Sequence, residues 1–150
     1  MATIRIPQDA TPFLPLCRSH SGDAHDRTEQ VCFETYADLI VFAAALGYEE
    51  MNGKLPMRET RFLDRPNPID LQTFKNDRRY PPILLIALAA SKDRAVVRDE
   101  DLLCKITEDF AAVGCERLKK TVDQGVPGGW HLAIAKRLAD SGVTPSENQI

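Results

Sequence analysis

The sequence has no long apolar run. No run exceeds the eight positions of Ile83 to Ala90, against the roughly 18 that a membrane-crossing helix needs. It has no excess of positive charge either: 19 basic and 22 acidic side chains leave a net charge of −3, which argues against a general, histone-like affinity for nucleic acid. Four cysteines (Cys17, Cys32, Cys104, Cys115) include no Cys-x-x-Cys pair, so reduced thiols are expected in a chain of a size that needs no staples. The opening Met-Ala-Thr-Ile-Arg-Ile-Pro lacks a basic segment leading into an apolar stretch and a cleavage site. A cytoplasmic location is therefore expected.

Catalytic motifs are scarce as well. There is no Gly-x4-Gly-Lys-Ser/Thr phosphate loop, and Gly125-Val-Pro-Gly-Gly lacks the lysine and flanking strand such a loop requires. No acidic residue stands two positions before a lysine, the spacing in which metal-dependent nucleases set an ion beside a phosphate-stabilising ammonium. Arg98-Asp-Glu-Asp101 concentrates carboxylates, which a helix start explains through its dipole. Only three histidines occur; His131, beside Trp130, has no serine or cysteine near it in sequence and reads as a surface or core residue.

What is present fits one ordinary globular domain. Its 150 residues are 43% apolar and 27% charged, enough to bury about two-thirds of the surface of the unfolded chain. Residues 1–30 hold Pro7, Pro12 and Pro15 and then a polar run, which reads as an extended arm and loop with a short strand at Thr3 to Ile6. From Phe33 the pattern changes. Thr35 and Asp38 make a capping pair and Gly47 a stop, predicting a helix over Thr35 to Leu46 that is apolar on every side and hence central. Pro81 and Pro82 suit the first turn of a second buried helix ending at Ser91.

Asp99 opens a third helix, with Leu102, Leu103, Ile106, Phe110, Val113 and Leu118 at three-and-four spacing. Gly114 inside it marks a break or a close helix crossing, and a break is the preferred reading. Trp130, Ala133, Ile134 and Leu138 mark a last amphipathic helix closed by Gly142. Between the first two helices, Tyr48 to Tyr80 has room for a short hairpin or one helical turn around Ile69 to Phe74. The expected fold is mainly α: four to five helices around a buried central one, with at most a small β element. Residues 31–142 form the domain and 143–150 a flexible tail.

Two residue groups point to chemistry. Cys17, His20, His25 and Cys32 supply the donor types and number for tetrahedral zinc, but in a spacing that fits no common zinc framework. The other reading is a core thiol beside solvated imidazoles, and no cofactor is expected. The second group is basic. Residues 54–79 hold seven basic side chains against four acidic ones, so the rest of the chain carries −6. Arg58, Arg61, Arg65, Lys75, Arg78 and Arg79, interleaved with Phe62, Phe74 and Tyr80, make a candidate surface for phosphates and bases, or for a protein partner.

Phe33-Glu-Thr-Tyr-Ala-Asp-Leu-Ile-Val-Phe-Ala-Ala-Ala-Leu-Gly-Tyr48 resembles the signature segment of the DNA phosphorothioation system-associated protein 4 family. Leu85-Ile-Ala-Leu-Ala-Ala-Ser-Lys-Asp93 and Glu108-Asp-Phe-Ala-Ala-Val-Gly-Cys-Glu-Arg-Leu118 are similar to two further blocks of that family, in the same order. The resemblance spans about Val31 to Lys120. It implies a small bacterial accessory protein tied to sulfur modification of the DNA backbone and to the restriction or anti-phage functions that accompany it. It implies no catalytic residues. The expected function is that of a non-enzymatic adaptor, with subunits of the modification or restriction machinery, or DNA itself, as partners. The alternatives are a pure protein-interaction module and a metal-assisted nuclease built on carboxylates distant in sequence.

Overall fold

Two helices separated by about a third of the chain meet through their glycines, and this crossing organises the rest. In the computed structural model, which describes residues 2–18 and 31–123, α1 spans Tyr36–Glu50 and begins at the predicted cap. Thr35 Oγ1 accepts from the Asp38 amide at 3.2 Å, and the Asp38 carboxylate accepts from the Thr35 amide at 3.1 Å, so each satisfies a donor that the helix start leaves free.

Gly47 does not end α1. A Cβ there would lie inside 3.0 Å of the Phe110 carbonyl, so the residue serves a backbone contact, and the chain turns later, where Asn52 and Gly53 take positive φ of 52° and 78°. The expected break at Gly114 does not occur either. The last described helix is continuous over Glu100–Asp123, and a Cβ on Gly114 would lie inside 3.0 Å of the Ala43 carbonyl. Both glycines are where they are because two backbones touch. Leu103, Ile106, Phe110, Ala111, Cys115 and Leu118 are buried on the same long helix, whose start is capped by Asp99, accepting from the Leu102 amide at 3.1 Å.

The N-terminal segment is core rather than an extended arm. Ile4, Ile6, Ala10 and Phe13 are at most 1% exposed. The short strand β1 (Thr3–Ile4) pairs antiparallel with β2 (Ile69–Asp70), Thr3 opposite Asp70 and Ile4 opposite Ile69. The short strand expected at Thr3 to Ile6 is thus present, and it pairs at long range rather than within a local hairpin. Residues Gln8–Leu16 form a 3-10 helix containing Pro12 and Pro15. Prolines forbid an α-helix here, but this tighter winding accommodates them and still turns Phe13 and Leu14 inward.

β2 leads into α2 (Leu71–Lys75), the predicted turn, capped by Asp70. Then come α3 (Tyr80–Ser91), with Pro81 and Pro82 in its first turn, a 3-10 turn at Arg94–Val97, and α4, the long helix over Glu100–Asp123. α3 is less buried than its composition predicts. It carries no charge, yet only Ile83 and Ala87 are buried and Leu85 is 64% exposed, because among the described residues it has neighbours on one side only. The fold is mainly α with one small two-stranded sheet. The Trp130 helix, the end of the 31–142 domain and the 143–150 tail lie outside the described residues.

Candidate polar contact site

The six cations singled out in residues 54–79 divide into two kinds. Three are clasps. Arg58 donates through Nη1 to Glu116 at 2.8 Å and through Nη2 to Asp9 at 3.2 Å, tying its loop to α4 and to the N-terminal 3-10 helix; its Nε is buried without a hydrogen-bond partner. Lys75 pairs with Glu100 at the start of α4. Arg79 donates through Nε to Asp38 at 2.7 Å and through Nη1 to Asp77 at 2.9 Å, so α3 is bolted to the cap of α1. The other three, Arg61, Arg65 and Arg78, are exposed and have no ion pair among the described residues.

The Asp38 clasp titrates. Burial pushes its carboxyl up, but hydrogen bonds from Arg79 and Thr35 outweigh burial and hold it below the ordinary carboxylate value. A depressed folded value means that its stabilisation is complete above the unfolded value of about 4 and is lost as pH falls through the folded one. Asp38→Asn is therefore expected to be less stable than wild type at pH 6 and to lose less stability on acidification below about pH 4. Urea unfolding from pH 2 to 6 checks this.

A second polar cluster was not visible in the sequence. Glu108 and Asp109, in the middle of α4, are 2% and 7% exposed, and carboxylates so placed must be paired. Arg5 does this for Glu108: its backbone N–H and Nε donate to Oε2 at 2.7 and 3.0 Å, and Nη2 donates to Oε1 at 2.9 Å. These bonds raise the Arg5 pKa further. The guanidinium lies over Phe62, 3.7 Å from the ring centroid. Asp109 accepts from Thr60 Oγ1 at 2.8 Å and from Lys105 Nζ at 2.9 Å.

An open groove of about 670 Å³ runs between these groups and is lined also by Met57, Arg58 and Glu59. Arg5 was missed because its segment reads as an arm, and Lys105 because a lone lysine in a helical stretch carries no local signal of its partner. One signal was present: Glu108 and Asp109 interrupt the core positions Ile106 and Phe110, so the pair cannot both face water on a helix buried around them.

The cysteine and histidine set is only half placed. Cys17 lies opposite Phe33 in an isolated parallel bridge and Cys32 donates its amide to Leu16 at 2.9 Å; His20 and His25 lie outside the described residues, as do Trp130 and His131. Among the described residues no three His, Cys, Asp or Glu side chains gather as metal ligands would. Burial pushes the thiols of Cys17 and Cys104 up to about 12, and those of Cys32 and Cys115 upward as well. None is a thiolate nucleophile near neutral pH.

The chain matches, over residues 4–132, the model of a family described as DNA sulphur modification system-associated protein 4. It belongs to that family. The match begins at residue 4, so it takes in the N-terminal segment that the resemblance over Val31 to Lys120 left out, in keeping with its place in the core. The matched range thus includes Arg5 as well as the helices. No curated protein and no solved structure matches the chain. Among the described residues no helix is long and apolar enough to cross a membrane.

Proposed function

We propose that the chain is a non-enzymatic accessory or adaptor protein of a bacterial phosphorothioation-linked restriction or anti-phage defence system. It works in the cytoplasm and meets DNA, or a DNA-acting partner, through the cations of residues 54–79. The observation that carries this reading is the division among those cations. Arg58, Lys75 and Arg79 hold the segment on the helices, and Arg61, Arg65 and Arg78 remain exposed without ion pairs among the described residues. A segment fixed at three points presents its remaining charges at low entropic cost. The four protonated thiols support a non-catalytic reading.

Two measurements test it. The tagged protein is pulled down from its host with and without nuclease, and partners are read by mass spectrometry. Recovery of modification or restriction subunits is expected; if they vanish on nuclease treatment, DNA is the bridge. In parallel, changing Arg61, Arg65 and Arg78 together to alanine is expected to weaken binding to all DNA sequences alike and to reduce the salt slope by about three. Salt-independent binding, with no partner recovered in either pull-down, would overturn the proposal.

A second reading, a protein-interaction module that never touches DNA, is favoured by α3. Its uncharged surface leaves Leu85 64% exposed, and large apolar side chains in water mark protein contacts when they are contiguous. Partners retained after nuclease treatment, with no binding to purified DNA, select this reading.

A further inference from the structure

The groove beside Arg5 combines two properties that seldom share a wall: fixed cationic donors and soft apolar surface. Arg5 spends its Nε and Nη2 on Glu108 and is still 50% exposed, so the guanidinium is locked in one orientation with Nη1 unspent. Lys105 spends one of its three N–H donors on Asp109 and is 63% exposed. Arg58 also lines the groove but is spent on Asp9 and Glu116. Each cation is thus already paired, and what the groove offers an incoming oxygen acceptor is the remaining N–H donors of Arg5 and Lys105.

The apolar half is equally particular. Met57 is 98% exposed, so its thioether gains nothing from burial where it stands. Phe62 lies directly under the Arg5 guanidinium. A thioether and a ring face are soft, polarisable surfaces. An oxyanion alone has no use for them. A monoanion in which one oxygen is replaced by sulfur does: sulfur is a poor hydrogen-bond acceptor, leaves water easily and gains dispersion against such groups, while the remaining oxygen keeps its need for N–H donors.

We infer that the groove bounded by Arg5, Met57, Phe62 and Lys105 is a binding site for a phosphorothioate diester of DNA. Lys105 and Arg5 take the charged oxygen, and Phe62 and Met57 take the sulfur. The inference rests on the family reading for the ligand's chemistry and on the groove for its place. It concerns a site separate from the exposed Arg61, Arg65 and Arg78. The groove is preorganised for this task because Arg5 and Lys105 are held by buried carboxylates rather than by the ligand.

The test uses the full chain and two kinds of 12-base-pair duplex of one sequence, unmodified and carrying a single phosphorothioate, the latter as separated Rp and Sp forms. Affinity is read by fluorescence anisotropy at two salt concentrations. Wild type is expected to prefer one phosphorothioate form by about tenfold. Met57→Gln, at a position 98% exposed, is expected to erase that preference. Lys105→Gln is expected to weaken binding to both duplexes by about three- to tenfold. Matched thermal unfolding of both variants excludes a folding defect.

Equal binding of the duplexes by wild type overturns the inference, as does a preference that survives both substitutions. If DNA binding is lost only when Arg61, Arg65 and Arg78 are changed together, the groove fails and the DNA-contact proposal stands. If neither duplex binds while nuclease-resistant partners are recovered, the groove again fails and the adaptor reading survives.

Discussion

Gly47→Ala is expected to destabilise the protein by on the order of 3 kcal/mol, with a fall in Tm of roughly 10 °C. On an exposed helix the same change would stabilise by about 1 kcal/mol, since glycine is the poorer helix former. The sign is reversed here because the new Cβ meets the Phe110 carbonyl, a backbone atom that cannot swing away. Gly114→Ala, facing the Ala43 carbonyl, should cost a similar amount. The double variant should cost less than the two together, because the first methyl already separates the helices that the second would push apart. Urea unfolding of the three variants settles it: a stabilised Gly47→Ala would show that the two backbones do not touch.

Arg5→Ala is the second large effect. Removing one member of a buried ion pair strands the other, at a cost of about 3–5 kcal/mol. Glu108 is 3% exposed but Arg5 is 50% exposed, and water reaching the vacated space moves the expected loss to the lower end, about 3 kcal/mol. Arg5→Met combined with Glu108→Leu should recover most of it, since apolar groups of similar volume replace the pair without leaving a charge. Recovery stays incomplete because the Arg5 backbone N–H, which also donates to Glu108, loses its acceptor. An Arg5→Ala variant as stable as wild type would mean that the carboxylate is solvated after all.

Much of the helical frame was legible in the sequence, and the reason is local. The start of α1 is announced by Thr35 and Asp38, three residues apart; α3 by two prolines at its first turn; α4 by Asp99 and by apolar spacing along one face. The N-terminal segment was not legible, because a 3-10 helix with internal prolines has no α period and β1 finds its partner only at Ile69 and Asp70. Gly114 showed the same limit. Its position inside a helix announced that something special happens, but the deciding atom belongs to Ala43.

The site follows the same rule. A basic stretch could be read directly, but nothing in its pattern separated its clasps from its exposed arginines. Arg58 finds Glu116 58 residues away and Arg79 finds Asp38 41 residues away, distances over which no periodicity operates. The groove is more remote still, since Arg5 and Glu108 are 103 residues apart. What remained visible was a carboxylate pair inside a core stripe, a local pattern that requires a distant cation without naming it.

The glycine crossing also sets the order of events during synthesis. Its flank, Arg117 with Glu50, joins residues 67 apart in sequence. At about 5–20 residues per second, the ribosome completes the partner of α1 some 3–13 s after α1 itself. Through that interval a helix that is apolar on nearly every side stands without its main covering surface, and α3, which buries fully only Ile83 and Ala87, covers it in part. The burial of α1 is thus completed only by the last of the described helices.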